Sequence, residues 1–201
     1  MIAIAPTDSP DEIRLKILDA TEARYRVYGY NKTTMAEIAS DVGMSAANLY
    51  RYFNNKNDIS AACAQRCMES QTDTLRKVVR KPGLTAKQRL REYVITSLEY
   101  SYERAGDDGK INELVVKILA ERKDLVIKKV ETEQALIAEI LAQGNKTGEF
   151  SIDDVVATAR HVKTAVVMFN VPTFMGLYSL EELRSMANGV VDLILTGLHE
   201  R

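Results

Sequence analysis

Apolar side chains recur every three or four residues along nearly the whole chain, the period of helices, and nowhere alternate over a strand's length. Ile13, Ile17, Leu18, Thr21, Tyr25 and Tyr28 share one helical face behind Ser9-Pro10-Asp11-Glu12, where Ser9 caps, Pro10 suits the first turn and Glu12 completes a capping box. Gly29 supplies the stop. Thr34 with Glu37 opens a short helix through Met35, Ile38, Ala39 and Val42, which Gly43 ends; Ser45 caps a third over residues 46–52, with Leu49 and Phe53 turned inward. Asn55 and Asp58 begin a fourth helix that runs to about Lys81, where Pro82-Gly83 breaks the chain. Thr85 with Gln88 caps a fifth bearing Leu90, Tyr93, Val94, Leu98 and Tyr100, closed by Gly106-Asp107-Asp108-Gly109. Helices over 111–121 and 124–143 follow, with Gly144 and Gly148 bracketing a turn. Ser151 with Asp154 opens a helix over 152–175, which Pro172 should kink or shorten, and Ser179 with Glu182 caps the last, 180–197. The pattern predicts an all-α protein of about nine helices.

Composition adds exclusions. Hydrophobic residues make up 46% and charged residues 27%, the balance of an ordinary folded chain. No apolar run approaches the roughly 20 residues of a membrane span, and Met1-Ile2-Ala3-Ile4-Ala5-Pro6 lacks the basic and apolar regions of a signal peptide, so a cytoplasmic protein is expected. Cys63 and Cys67, one turn apart with no histidine beside them, read as small core residues rather than a metal site. His161 and His199 stand alone, with no acid and nucleophile arranged around them. No phosphate loop, metal cluster or nucleophile motif is visible, so neither an enzyme nor a cofactor is expected. Net charge is −1, but between Arg24 and Lys56 the cations Arg24, Arg26, Lys32, Arg51 and Lys56 outnumber Glu37 and Asp41. A second basic stretch, Arg76 to Arg91, contains no acid; it reads either as a solvated helix end and linker or as a source of attraction for anions.

Two short helices joined at Gly43-Met44-Ser45 form a helix-turn-helix pattern. With Ile38, Ala39, Val42, Leu49 and Phe53 locking the pair, Ala46, Ala47, Asn48, Tyr50 and Arg51 are left for a DNA major groove. Small Ala46 and Ala47 permit close approach and contact with a thymine methyl; Asn48 suits adenine and Arg51 guanine. Thr34 and Ser45, at helix N-termini, together with the Tyr52 hydroxyl and Lys56, suit phosphate oxygens, which set register without carrying sequence information.

The runs Thr33-Thr34-Met35-Ala36-Glu37-Ile38-Ala39, Val42-Gly43-Met44-Ser45 and Leu49-Tyr50-Arg51-Tyr52-Phe53-Asn54-Asn55-Lys56 resemble the signature of TetR-type transcriptional regulators, as do Ile17-Leu18-Asp19-Ala20 and Gly29-Tyr30 upstream. The likeness is specific over residues 13–60 and loose beyond. It implies a DNA-binding domain over 9–56 and an effector-binding and dimerisation domain over 57–201. It also implies a homodimer on a palindromic operator of double-stranded DNA, acting as a repressor that a small molecule releases. Position by position it supports Thr34, Ser45, Tyr50, Tyr52 and Lys56 as DNA contacts and Ala46, Ala47, Asn48 and Arg51 as readers. Some positions depart from the signature. Thr21 and Arg24 stand where small apolar and leucine-like residues are usual, Tyr25 replaces phenylalanine, and Asn57 and Ile59 replace an acid and a leucine; such changes bear on how the head couples to the rest of the chain.

For the body, the resemblance implies that helices 152–175 and 180–197 build a dimer interface, with Val155, Val162, Val166, Leu183, Val190 and Ile194 in core or interface. It implies an apolar effector pocket as well, for which Tyr93, Tyr100, Met168 and Phe169 are candidates; residues of this kind at helical spacing also serve as plain core. Asn170 is either a pocket amide or a satisfied core amide. The competing reading is a helical protein that binds DNA or a protein partner without any ligand.

Overall fold

The computed structural model describes residues 8–105 and 110–199, and these form nine α-helices and two 3-10 turns with no strand among them. The helices are α1 (Pro10–Tyr28), α2 (Met35–Asp41), α3 (Ala46–Leu49), α4 (Lys56–Val79), α5 (Ala86–Ala105), α6 (Ile111–Glu121), α7 (Lys123–Thr147), α8 (Val155–Ala165) and α9 (Leu180–His199). The expected stop at Gly106–Gly109 and the opening Met1–Pro6 lie outside the described residues, as does the side chain of His199. No described helix is long and apolar enough to cross a membrane.

Starts follow the capping chemistry of the sequence. Ser9 Oγ accepts from the Glu12 amide at 3.3 Å while Glu12 accepts from the Ser9 amide at 2.7 Å. Thr34 and Glu37 repeat the reciprocal pair before α2, as do Ser179 and Glu182 before α9. Each box satisfies two donors that the helix cannot.

The chain packs as two units. Among the described residues the first comprises 8–67 together with 110–123, so it holds α1, α2, α3, the start of α4, and α6. Ile17, Leu18, Ile38, Ala39, Val42, Leu49, Phe53 and Ile59 form its core. Cys63 belongs to this core, where burial pushes its thiol pKa up, but Cys67, one turn later, is exposed; the expectation that both are core residues holds only for Cys63. The second unit is built on α5, whose Leu90, Val94 and Leu98 pack with Ile137, Ile140 and Leu141 of α7 and Leu183, Ala187 and Val191 of α9.

Two boundaries differ from the sequence reading. Helix α7 does not stop at Gln143 but runs through Gly144 to Thr147, and Gly148, at φ +77°, makes the turn. Gly144 sits inside the helix because the Phe150 ring lies on it: a Cβ there would fall 2.0 Å from Phe150 Cδ2. The helix expected over 152–175 ends at Ala165. The chain then winds into 3-10 turns over Val167–Asn170 and Pro172–Leu177, with Pro172 opening the second, since its missing N–H and fixed φ suit a first turn and not an interior one.

Four cations of the basic stretch Arg76 to Arg91 have partners within the fold. Buried Arg89 donates to the carbonyls of Val78, Val79, Lys81 and Leu84, satisfying the C-terminal end of α4. Arg76 pairs with Asp73, Lys81 with Glu92, and Arg91 with Asn188 and Asp192.

Candidate nucleic-acid interface

Helix α3 is the shortest helix of the first unit and depends on its neighbours for its shape. Ser45 Oγ accepts from the Asn48 amide at 3.2 Å, and the amides of Leu49 and Tyr50 bond back to Ser45 and Ala46. The sequence pattern predicts helix to Tyr52; the α-helical ladder ends at Leu49, and the last turn tightens, with Arg51 N–H on Asn48 C=O and Tyr52 N–H on Leu49 C=O. Leu49 is wholly buried and Phe53 nearly so, which pins this short segment to α1 and α2.

The opposite edge faces solvent. Ala47, Tyr50 and Arg51 are exposed, and Ala46, Asn48 and Tyr52 half-buried; Ser45 and Thr34 lie exposed at the starts of α3 and α2. Residues 45–52 thus present side chains on a helical edge backed by apolar packing.

Arginines the sequence reading did not assign hold this edge in place. Arg14 of α1 donates to the Tyr52 carbonyl and stacks 4.2 Å from the centroid of the Phe53 ring. Arg24 bridges α1 to α2, reaching Glu37 at 2.8 Å and Asp41 at 2.9 Å. Both acids between Arg24 and Lys56 are therefore drawn to one arginine. The Thr34 hydrogen bonds, with Arg24 adding to them, hold the Glu37 pKa below the usual carboxylate range. A long cation in a helix interior, opposite two acids at the start and end of the next helix, is the signal that could have found Arg24.

The polar departures from the family signature each find a partner within this unit, and Ile59 lies in its core. Thr21 bonds back to the Ile17 carbonyl at 2.7 Å, and the Tyr25 hydroxyl, its pKa raised by burial, meets Ser60 at 2.7 Å. Asn57 accepts from the Tyr30 hydroxyl at 2.6 Å and donates to Glu121 of α6 at 3.2 Å. A second tie to α6 runs through Glu113, which accepts the Asn31 amide at 2.8 Å beside Gly29, where a Cβ would meet its carboxylate at 2.8 Å and the backbone is at φ +83°. Lys56 lies 4.0 Å from the centroid of the Tyr30 ring and donates to the carbonyls of Tyr30 and Thr33 at 3.0 and 2.9 Å. Burial and nearby Lys117 lower its pKa.

The four pocket candidates fall in the second unit. Tyr93 and Phe169 are in its core and Met168 packs against it; Tyr100 is buried beneath the Arg104 guanidinium, 3.5 Å from its ring centroid. Asn170 is bonded to Lys129 and Ser97. His161 is exposed, and among the described residues no group of three His, Cys, Asp or Glu is arranged to hold a metal.

Comparison with known proteins extends these observations. Residues 17–63 match the family model described as bacterial regulatory proteins, tetR family, and residues 86–191 match that of the tetracyclin repressor-like C-terminal domain. The fatty acid metabolism regulator protein of Bacillus subtilis (strain 168) is 23% identical over 192 residues, covering 93% of this chain and 96% of that protein. The crystal structure of the B. subtilis transcriptional regulator FadR in complex with stearoyl-CoA superposes with a TM-score of 0.70 at 19% identity, covering 92% of this chain and 99% of that one. A transcriptional regulator from Cytophaga hutchinsonii gives 0.72 at 22%, covering 94% and 99%. At these identities the structural likeness is one of fold.

Proposed function

Because this chain belongs to the TetR family of bacterial transcriptional regulators, we propose that it is a ligand-responsive repressor that binds a palindromic operator as a homodimer. The observation that carries this reading is the exposed edge of residues 45–52, set on a buried apolar seam. In the proposed complex α3 enters the major groove. Ala46 and Ala47 allow close approach, Asn48 and Arg51 read adenine and guanine edges, and Tyr50 lies along the same edge. Thr34, Ser45 and Tyr52 anchor to phosphates, and Lys56, whose ammonium also donates to the Tyr30 and Thr33 carbonyls, adds positive charge beside them. We assign DNA binding to 9–56 and effector binding and dimerisation to 57–201.

Energetics and surface both support pairing in this reading. One four-residue helix reads few base pairs, and a second copy doubles the readout. Val156 on α8 is 60% exposed and Leu193 on α9 76% exposed, apolar side chains of the kind that a partner copy would cover. For the effector, the bound stearoyl-CoA of a protein with this fold makes long-chain acyl-CoA the first compound to test, and Tyr93, Tyr100, Met168 and Phe169 the first lining residues to vary.

The test is a mobility shift of the full chain on palindromic fragments from DNA flanking its own gene, with and without acyl-CoA. A salt-sensitive dimer complex that the ligand dissolves supports the proposal. Binding that no ligand alters would favour a ligand-independent regulator, and absence of any complex at low salt would reject DNA recognition by this chain.

A further inference from the structure

The core of the second unit holds a cluster of charge that DNA recognition does not use. Glu133 of α7 is wholly buried and Lys163 of α8 is 6% exposed. One carboxylate oxygen of Glu133 takes the ammonium of Lys129, a turn earlier on α7; the other pairs with Lys163. Lys129 also donates to Asn170 Oδ1 at 2.9 Å, and the Asn170 amide donates to Ser97 of α5. Ser101 donates to the Asn170 carbonyl at 3.3 Å, and Gln71 donates to Ser101 at 3.1 Å.

Two cations therefore share one anion. Burial lowers the Lys163 pKa and Lys129 lowers it further, with Glu133 alone opposing them. For Glu133 burial works toward a raised pKa, but the two lysines outweigh it and hold the carboxyl below its usual range. In formal charge two lysines face one carboxylate, one cation more than it neutralises.

A buried charge is costly unless it is paired, and one lysine with one glutamate would tie α7 to α8 at no net charge. We propose, deepening the ligand-responsive reading on which this rests, that Lys129 and Lys163 bind the single oxyanion head, carboxylate or phosphate, of an effector with an apolar body. The head brings the cluster to neutrality, and the body meets Leu98, Ile137, Val162, Val166 and Phe169, core residues on the same elements. Asn170, which accepts from Lys129, is carried on a 3-10 turn, so displacing it breaks few backbone bonds.

The experiment uses the full-length protein with four ten-carbon probes, sodium decanoate, decyl phosphate, decanol and decylamine, read by thermal shift and calorimetry beside operator binding. The oxyanions are expected to bind and raise Tm, and the alcohol and amine are not; preference between carboxylate and phosphate identifies the head. Lys163→Met leaves a neutral pair, so it should fold at least as stably as the parent and lose about tenfold or more in decanoate affinity. Glu133→Gln raises the excess charge and should strengthen binding severalfold. A purely structural triad would weaken in both variants. That result, equal binding of decanol and decanoate, or unchanged decanoate affinity in Lys163→Met would overturn the proposal. Operator binding that the oxyanions leave untouched rejects this site alone, whereas failure to bind any operator rejects the regulator reading.

Discussion

Replacing Arg24 by leucine removes a cross-link in the head while restoring the residue type usual for the family. The guanidinium reaches Glu37 at 2.8 Å and Asp41 at 2.9 Å, and stacks 4.8 Å from the Tyr28 ring centroid. Breaking a buried ion pair costs about 3–5 kcal/mol because a charge is stranded away from water, whereas an exposed pair contributes about 0–1 kcal/mol. Exposure decides between these cases. The Arg24 side chain is 14% exposed, but Glu37 and Asp41 are 40% and 36% exposed, so the acids left behind recover water. Leucine keeps part of the apolar contact made by the arginine stem. Loss of two such pairs should cost about 1–2 kcal/mol, a fall of about 4–16 °C in the unfolding of a unit this size. A head with a few kcal/mol to spare stays folded, so operator Kd should move by less than about twofold. Urea unfolding with amide exchange on α2, beside DNA anisotropy, measures both quantities. A loss above about 4 kcal/mol would show that the acids are effectively buried; no loss would show that the bridge holds nothing. Weaker DNA binding at unchanged stability would mean that Arg24 touches DNA.

Other perturbations separate roles in the same way. Arg51→Ala should relax base preference without lowering Tm, because Arg51 is exposed; Lys56→Ala should weaken all sequences alike, flatten the salt dependence, and also lower Tm, because Lys56 holds the Tyr30 and Thr33 carbonyls. Anisotropy on matched and scrambled operators distinguishes them, and equal specificity losses would refute the division into readers and anchors. Gly144→Ala drives a methyl against the Phe150 ring and should cost at least about 1–3 kcal/mol, partly recovered by adding Phe150→Leu; a neutral Gly144→Ala in urea unfolding would show that the ring moves freely. Glu149 accepts the Ala86 and Lys87 amides at 2.9 and 3.2 Å; burial favours a raised pKa, but these bonds prevail and hold it below the usual range. Its stabilisation is therefore present above the unfolded-state pKa of about 4.3 and fades as pH falls through the lower folded value. Glu149→Gln should lower the urea midpoint at neutral pH, with the gap closing in acid; a gap that is constant with pH would contradict this.

What could be read from the chain alone was what local chemistry decides. Ser9 with Glu12, Thr34 with Glu37 and Ser179 with Glu182 are caps whose partners lie three residues away, so their helix starts follow from sequence. The α2–α3 pair and its inward Leu49 and Phe53 were legible for the same reason. Gly144 was misread because its reason is Phe150, a ring packed on it from outside the helix, and a glycine in isolation reads as a stop. Arg14, Arg24 and Arg89 were missed because their acceptors are carbonyls and acids brought near only by folding. Glu133 and Lys163, thirty residues apart on amphipathic helices, look like solvated face until the core closes over them.

In the proposed complex the exposed edge of α3 enters the major groove. Methylation protection of guanine N7 across an operator tests it most directly, because N7 lies in that groove and Arg51 is the residue assigned to it. Protection is predicted in two half-sites about 34–36 Å apart, lost at specific guanines in Arg51→Ala while the folded protein still binds. Unprotected guanines under a saturating complex, or a pattern that Arg51→Ala leaves unchanged, would contradict it.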